Sequence, residues 1–270
     1  MQGIGRLAVI GGGRMGEAIV GGLLASGAMT AGEIVVAEPV AQRREALVAA
    51  HGVGTVADAR EALSCAGTVL LAVKPQVMDA VVDSISDAVG AGTLVVSIAA
   101  GVSCARLESR LPAGTAVVRV MPNTPALVGA AMSVVSGGTE ATAEQVEAVR
   151  ELFSAVGVAI VLPESQQNAA TAISGSGPAY VAMFIDTLAR AGVRHGLARD
   201  VAERLAVQTV AGTASLLTET GQHPEQLVDG VSSPGGTTIA AIEALEAGGF
   251  RASVNAAVAA AVARAKELEA

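Results

Sequence analysis

Along its first half the chain alternates between short unbroken apolar runs and longer stretches in which apolar residues recur at helical spacing. The runs 6–10, 33–37, 68–73, 93–98 and 116–120 are brief and rich in β-branched residues, as expected of strands buried on both faces. Between them, Ala18, Ile19, Leu23 and Leu24 mark one helix. The segments 40–51, 75–89 and 103–111 predict three more. Strands separated by helices imply βαβ units and a parallel sheet with right-handed crossovers. Segments 130–135 and 158–162 read as closing strands around a helix over 143–155.

From Pro163 the pattern becomes almost wholly helical. Helices are expected over 164–172, 178–191, 198–220, 224–231, 237–247 and 250–269. Several, such as 206–217, are apolar round most of their circumference, and a helix of that kind is buried. A domain this small cannot bury so many apolar faces alone. Dimerisation through interleaved helices is therefore expected, with a single compact bundle as the alternative. The division is two domains: a doubly wound α/β domain over 1–162 and an all-α dimerisation domain over 163–270.

Composition narrows the classes. Of 270 residues, 51% are hydrophobic, with no Trp, one Tyr and three Phe. The mean hydropathy of +0.55 thus comes from small aliphatic side chains, which let helices approach closely. The longest uncharged runs, 120–139 and 168–185, are broken by Gly, Pro, Ser or Asn, so no membrane span is expected. The N-terminus passes straight into a strand and a glycine loop, unlike a signal peptide. A net charge of −8, without a basic run or stacking aromatics, argues against nucleic acid. Cys65 and Cys104 give neither a disulfide framework nor metal-ligand spacing, and the cytoplasm is the expected location.

The first chemistry-bearing motif is Gly11-Gly12-Gly13-Arg14-Met15-Gly16, placed directly after a strand and opening a helix. Gly11, Gly13 and Gly16 fit G-x-G-x-x-G in the context that dinucleotide binding requires. The first glycine allows the tight turn, the second the approach of a pyrophosphate, the third close packing of helix on strand. Glu38, at the end of the second strand, stands where a carboxylate bonds the adenosine ribose and repels a 2′-phosphate. Arg43 and Arg44 follow and have the opposite tendency, so the sequence leans towards NADH without excluding NADPH. Three other strand ends face the same edge: Val73-Lys74-Pro75, Ile98-Ala99-Ala100-Gly101 and Met121-Pro122-Asn123-Thr124. Each reads equally as a plain turn.

The second motif is Ser233-Pro234-Gly235-Gly236-Thr237-Thr238, uncharged, running into a helix. Outward N–H groups and the helix dipole suit a small anion such as a carboxylate, with Thr237 and Thr238 adding hydroxyls. The alternative is an ordinary helix start capped by Ser or Thr. Ser174-Gly175-Ser176-Gly177 is similar, a neutral turn leading to Pro178 at a favoured first helical position. It lacks the G-x-S-x-G spacing of a hydrolase elbow. His195 and His223 have no positional partner and read as structural or exposed. A nicotinamide beside an anion site with no evident strong acid suits a protonated imine, which already carries the charge that hydride neutralises. A ketone would need a proton donor.

Taken together the motifs resemble the Δ1-pyrroline-5-carboxylate reductase family over essentially the whole chain. The resemblance is carried by IGGGRMGEAI at the start, AVKP over 72–75, VVSIAAG over 95–101 and MPNTPALVG over 121–129. AISGSGPAYV over 172–181, HPEQL over 223–227 and SPGGTTIAAIEALEAGGFR over 233–251 are the most specific. It implies a Rossmann domain, a helical dimerisation domain, homodimers that assemble into decamers, and hydride transfer from NADPH or NADH to the imine carbon of 1-pyrroline-5-carboxylate, the final step of proline synthesis. It further implies a substrate site between the SGSGP turn and the SPGGTT loop. Ser174, Ser176, Gly177, Ser233, Gly235, Gly236, Thr237 and Thr238 would line that site, with Glu164 approaching it. Thr238 would contact the ring nitrogen, and backbone N–H groups of the loop the carboxylate. Gly11, Gly12, Gly13, Arg14, Met15, Glu38, Ala72, Val73, Lys74, Pro75, Ala99, Ala100 and Asn123 would line the cofactor. Two residues depart from the family pattern: Glu38, where many members lack an acid, and Arg14, where many carry Asn or Ser. A β-hydroxyacid dehydrogenase would need a lysine in the helical half, and none lies between Lys74 and Lys266. A catalytically silent dinucleotide-binding protein is the other rival, opposed by the intact SPGGTT loop.

Overall fold

A computed structural model describes residues 3–64 and 66–269. Cys65, one of the two cysteines weighed above, lies outside the described residues. The chain forms two compact units: Met1–Ser176 with Val262–Ala270, and Gly177–Ala261. The change in texture at Pro163 and the boundary in space do not coincide.

In the first unit the alternating pattern becomes β1 (Leu7–Ile10), α1 (Arg14–Ala25), β2 (Ile34–Ala37), α2 (Ala41–His51), β3 (Gly54–Val56), α3 (Ala59–Leu63), β4 (Thr68–Leu71), α4 (Met78–Ile85), β5 (Leu94–Ser97), α5 (Cys104–Glu108), β6 (Ala116–Met121), β7 (Ala131–Gly137), α6 (Ala143–Ser154), β8 (Gly157–Val161) and α7 (Gln167–Ala170). The strands make one sheet in the order β3-β2-β1-β4-β5-β6-β7-β8. Its first six strands, all parallel, follow the doubly wound order, with the reversal between β1 and β4. Alternate residues of each strand join opposite cores. Leu7, Val9, Leu70, Val96 and Val118 lie on one face, and Ala8, Ile10, Val69, Leu71, Val95 and Val117 on the other. Each fully buried Leu, Ile or Val stabilises the fold by about 1.5–3 kcal/mol. This is why the strands read as unbroken apolar runs rather than alternating ones.

Three features differ from the reading of the sequence. First, the sheet is not wholly parallel, because β7 runs antiparallel to β6. The link between them is a short 3-10 turn, Thr124–Val128, closed by Gly129 at φ 70°. A parallel crossover needs a dozen or more residues. The helix α6 then returns the chain so that β8 is parallel to β7. Second, the edge strand β3 and the five-residue α3 were not foreseen, being too short to show a period. Third, Ser174–Gly177 is not a turn. α7 passes into a π-helical stretch, Thr171–Gly175, Ser176 keeps right-handed helical angles, and the next helix starts at Gly177. Pro178 is thus not the first residue of that helix.

The second unit comprises α8 (Gly177–Arg194), α9 (Arg199–Thr220), α10 (Pro224–Val231), α11 (Thr237–Ala247) and the larger part of α12 (Phe250–Glu269). α8 and α9 pack closely through small residues. Ala189, Ala202 and Ala206 are its buried apolar side chains, and a Cβ on Gly192 would come within 3.2 Å of Ala202 Cβ. Phe184 and Phe250 pack at 6.3 Å between ring centroids. Met183, Leu205 and Val207 remain more than half exposed in the single chain, the open apolar faces that the helical pattern called for. Among the described residues no helix is long and apolar enough to cross a membrane.

Candidate functional site

The carboxyl ends of β2, β1, β4 and β5 lie side by side, and there the first unit gathers its glycine loop with the 72–75 and 98–101 turns. Ala72 N–H donates to Ile10 C=O (2.8 Å), and Gly11 N–H to Ala37 C=O (2.9 Å), which ties the loop to both neighbouring strands. Gly11 has φ +108°, and a Cβ there would lie 2.8 Å from the Ala72 carbonyl oxygen. At Gly16 a Cβ would collide with the Gly11 carbonyl oxygen, whereas at Gly13 it would meet nothing within 4 Å. The first and third glycines therefore serve the turn and the packing, and the second leaves open space over the backbone. The first helical bond of α1 runs from Glu17 N–H to Gly13 C=O. The N–H groups of Gly13, Arg14 and Met15 precede it and are available to an anion. A pyrophosphate fits this donor set.

Glu38 does more than stand at the end of β2. Its Oε2 accepts from Gly12 N–H (3.1 Å) and its Oε1 from Val40 N–H (3.0 Å), leaving the residue 9% exposed. Arg43 donates to Gly12 C=O and to Glu17 Oε2 (2.8 Å), and Arg44 to the carbonyls of Glu38 (2.8 Å) and Pro39 (2.9 Å). Both arginines brace the loop region. Lys74 is exposed and starts a 3-10 turn with Pro75 at its first position. Val73 and Ala72 are half-buried, Ala99 is buried and Ala100 exposed.

Beyond β6, Asn123 has its side chain engaged within the protein. Its Nδ2 donates to Ser174 C=O (2.9 Å), and its Oδ1 accepts from Met132 N–H (2.9 Å). The π stretch is closed by Ser176 N–H donating to Thr171 C=O (2.9 Å), while Ser174 Oγ donates to Ala170 C=O (3.0 Å). The Ser176 N–H is thus bonded internally. Glu164 is likewise occupied: its Oε1 accepts from Cys104 N–H (2.8 Å) and from Arg119 Nη1 (3.2 Å). Arg119 itself escaped the sequence reading. It is 2% exposed and also pairs with Glu269 at 2.7 Å, which in turn accepts from Asn168 Nδ2 (2.7 Å). The available signal was a lone charge inside the apolar run AVVRVM. Burial, with the negative Glu164 beside it, pushes the Cys104 thiol up to about 12.

In the second unit the 233–238 loop has the geometry of an open helix start. Gly236 N–H donates to Ser233 C=O (3.0 Å) across Pro234 and a positive-φ Gly235, the arrangement of a type II turn. The residue before α11 is Gly236, with no side-chain cap, and the first helical bond is Ala240 N–H to Gly236 C=O (3.3 Å). The N–H groups of Thr237, Thr238 and Ile239 therefore precede the ladder, and neither threonine caps the helix. By contrast, the start of α10 is capped by His223, whose ring accepts from Glu225 N–H (3.2 Å), giving that histidine a structural role. His195 is exposed.

The sheet order, the glycine loop and the open N–H groups of α1 define a dinucleotide-binding protein of the Rossmann type. Residues 6–101 match the family model described as NADP oxidoreductase, coenzyme F420-dependent, and residues 164–268 match that for pyrroline-5-carboxylate reductase dimerisation. A pyrroline-5-carboxylate reductase of Synechocystis is 46% identical over 97% of this chain and 98% of its own. The solved pyrroline-5-carboxylate reductase of Coxiella burnetii superposes with a TM-score of 0.94 at 36% identity, covering 99% of each chain. The pyrroline carboxylate reductase of Plasmodium falciparum, solved with NADP bound, gives 0.88 at 29% identity over 98% of each. The chain belongs to the pyrroline-5-carboxylate reductase family.

Proposed function

We propose that this protein reduces 1-pyrroline-5-carboxylate to L-proline, taking hydride from NADPH or NADH onto the imine carbon, as the final step of proline biosynthesis. The observation that carries the reading is the uncapped start of α11, whose free N–H groups and adjacent hydroxyls sit in a family whose relatives bear this enzyme's name. The nicotinamide supplies the hydride, and the protonated ring nitrogen becomes the amine of the product. No proton donor stronger than a hydroxyl is needed at the reacting carbon.

The backbone N–H groups of Gly235, Thr237 and Thr238, at the positive end of α11, hold the substrate carboxylate, with the Ser233 and Thr237 hydroxyls beside them. The Thr238 hydroxyl hydrogen-bonds the ring nitrogen and orients the imine. Gly11, Gly12, Gly13, Arg14 and Met15 carry the pyrophosphate, and Ala72, Val73, Lys74, Pro75, Ala99 and Ala100 line the rest of the dinucleotide. Ser174, within the π-helical segment, and Ser176 and Gly177, which follow it, contribute to the substrate side; such segments recur at functional sites. Glu164 and Asn123 act as positioning residues, because both are already bonded within the protein. The helical unit associates into homodimers through its exposed apolar faces, and the dimers assemble into decamers in the cytoplasm.

The test is direct. Purified protein given 1-pyrroline-5-carboxylate should oxidise NADPH or NADH and form proline in equal amount. Failure with both cofactors would overturn the reading.

A further inference from the structure

We propose that Glu38 makes this enzyme select NADH over NADPH, a refinement that rests on the nicotinamide reading above. Two backbone N–H groups, those of Gly12 at 3.1 Å and Val40 at 3.0 Å, hold its two carboxylate oxygens at the end of β2. The carboxylate has no slack for retreat. A Cβ added at Gly12 would already lie 2.6 Å from Leu47 Cδ1 and 3.2 Å from Glu38 Cβ, so the loop, α2 and this side chain are in close contact. A carboxylate held there accepts hydrogen bonds from the ribose hydroxyls through its remaining lone pairs, and it sets a fixed negative charge against a 2′-phosphate.

The cations that would offset that charge are engaged elsewhere. Arg43 donates to Gly12 C=O and pairs with Glu17, and Arg44 donates to the carbonyls of Glu38 and Pro39. Arg14 forms no ion pair among the described residues, but it is the first residue of α1, beside the N–H groups that receive the pyrophosphate common to both cofactors. The net discrimination at the ribose is therefore left to Glu38.

Equilibrium binding tests this without turnover. Titration of the protein against the fluorescence of NADH and of NADPH should give a Kd for NADH at least about tenfold lower. In Glu38→Gln that ratio should shrink, mainly through tighter NADPH binding. On the wild type, AMP should displace NADH and its 2′-phosphorylated counterpart, 2′,5′-ADP, should do so far less well. The displacement pair stands even if the variant does not fold. Equal affinities for the two cofactors, tighter NADPH binding, or an unchanged ratio in Glu38→Gln would overturn the assignment. Binding of neither dinucleotide would instead defeat the nicotinamide reading on which it rests.

Discussion

Asn123 Nδ2 donates to the Ser174 carbonyl at 2.9 Å, and the partner that carbonyl would have in a regular helix, residue 178, is a proline with no N–H. The loop after β6 thus supplies the hydrogen bond that the sequence withholds from the π stretch. Replacing Asn123 with Ala leaves the Ser174 carbonyl and the Met132 N–H unpaired, each half-buried. The expected loss is about 2 kcal/mol in chemical denaturation. Asn123→Asp keeps an acceptor for Met132 but sets a second carboxylate oxygen against the Ser174 carbonyl, so it should not recover the loss. An unchanged midpoint in Asn123→Ala would show that the bond does not hold the segment.

Arg119 and Glu269, 150 positions apart, pair at 2.7 Å inside the first unit, with Glu164 on the same guanidinium. Arg119→Ala strips both carboxylates of their cation. Removing one member of such a buried pair costs about 3 kcal/mol, reduced by the partial exposure of the two acids. Denaturant titration measures it, and a wild-type midpoint would contradict the anchoring role.

Thr238→Ala removes a hydroxyl while keeping the N–H groups of the loop. With a hydrogen bond to a charged group at stake, kcat/KM should fall roughly ten- to hundredfold with little change in Tm. Thr238→Ser should restore most of the activity. Full activity in the alanine variant would remove Thr238 from the mechanism.

Burial, with the negative Glu164 beside it, raises the Cys104 thiol from its ordinary 9.0 to about 12. The native state therefore keeps its proton where the unfolded chain releases it. Stability from this group is complete below pH 9 and declines as the pH rises from there towards 12. At neutral pH the buried, protonated thiol should resist alkylation in the native protein and react once denaturant is added, as read by peptide mass spectrometry. Rapid native labelling of Cys104 would refute the assignment.

Much of the first unit was legible because each buried strand needs an unbroken apolar run and each covering helix a periodic one. The glycine loop was equally plain, since Gly11 and Gly16 occupy positions where a side chain collides with backbone. The short β3 carries too few residues to show a period. The antiparallel β7 followed from the length of the Thr124–Val128 link, a cue present in the sequence but outweighed by the run of βαβ units before it. Arg119 stood in view as a charge inside a strand, yet its partners Glu164 and Glu269 are remote in sequence.

What the chain determined by itself was local: periodicity sets the helices and strands, and glycines set the turns that only they can make. Tertiary structure decided how the polar groups are used. It turned SGSGP from an apparent turn into the end of a π-helical stretch followed by the start of α8, with the Asn123 amide taking up a carbonyl that Pro178 cannot serve. It locked Glu38 against Gly12 and drew Arg43 and Arg44 onto backbone carbonyls, where the sequence left acid and bases in open competition. The reason is physical. Apolar burial depends on pattern and is legible along the chain, whereas a hydrogen bond depends on two partners meeting within about 3 Å, which the fold alone arranges.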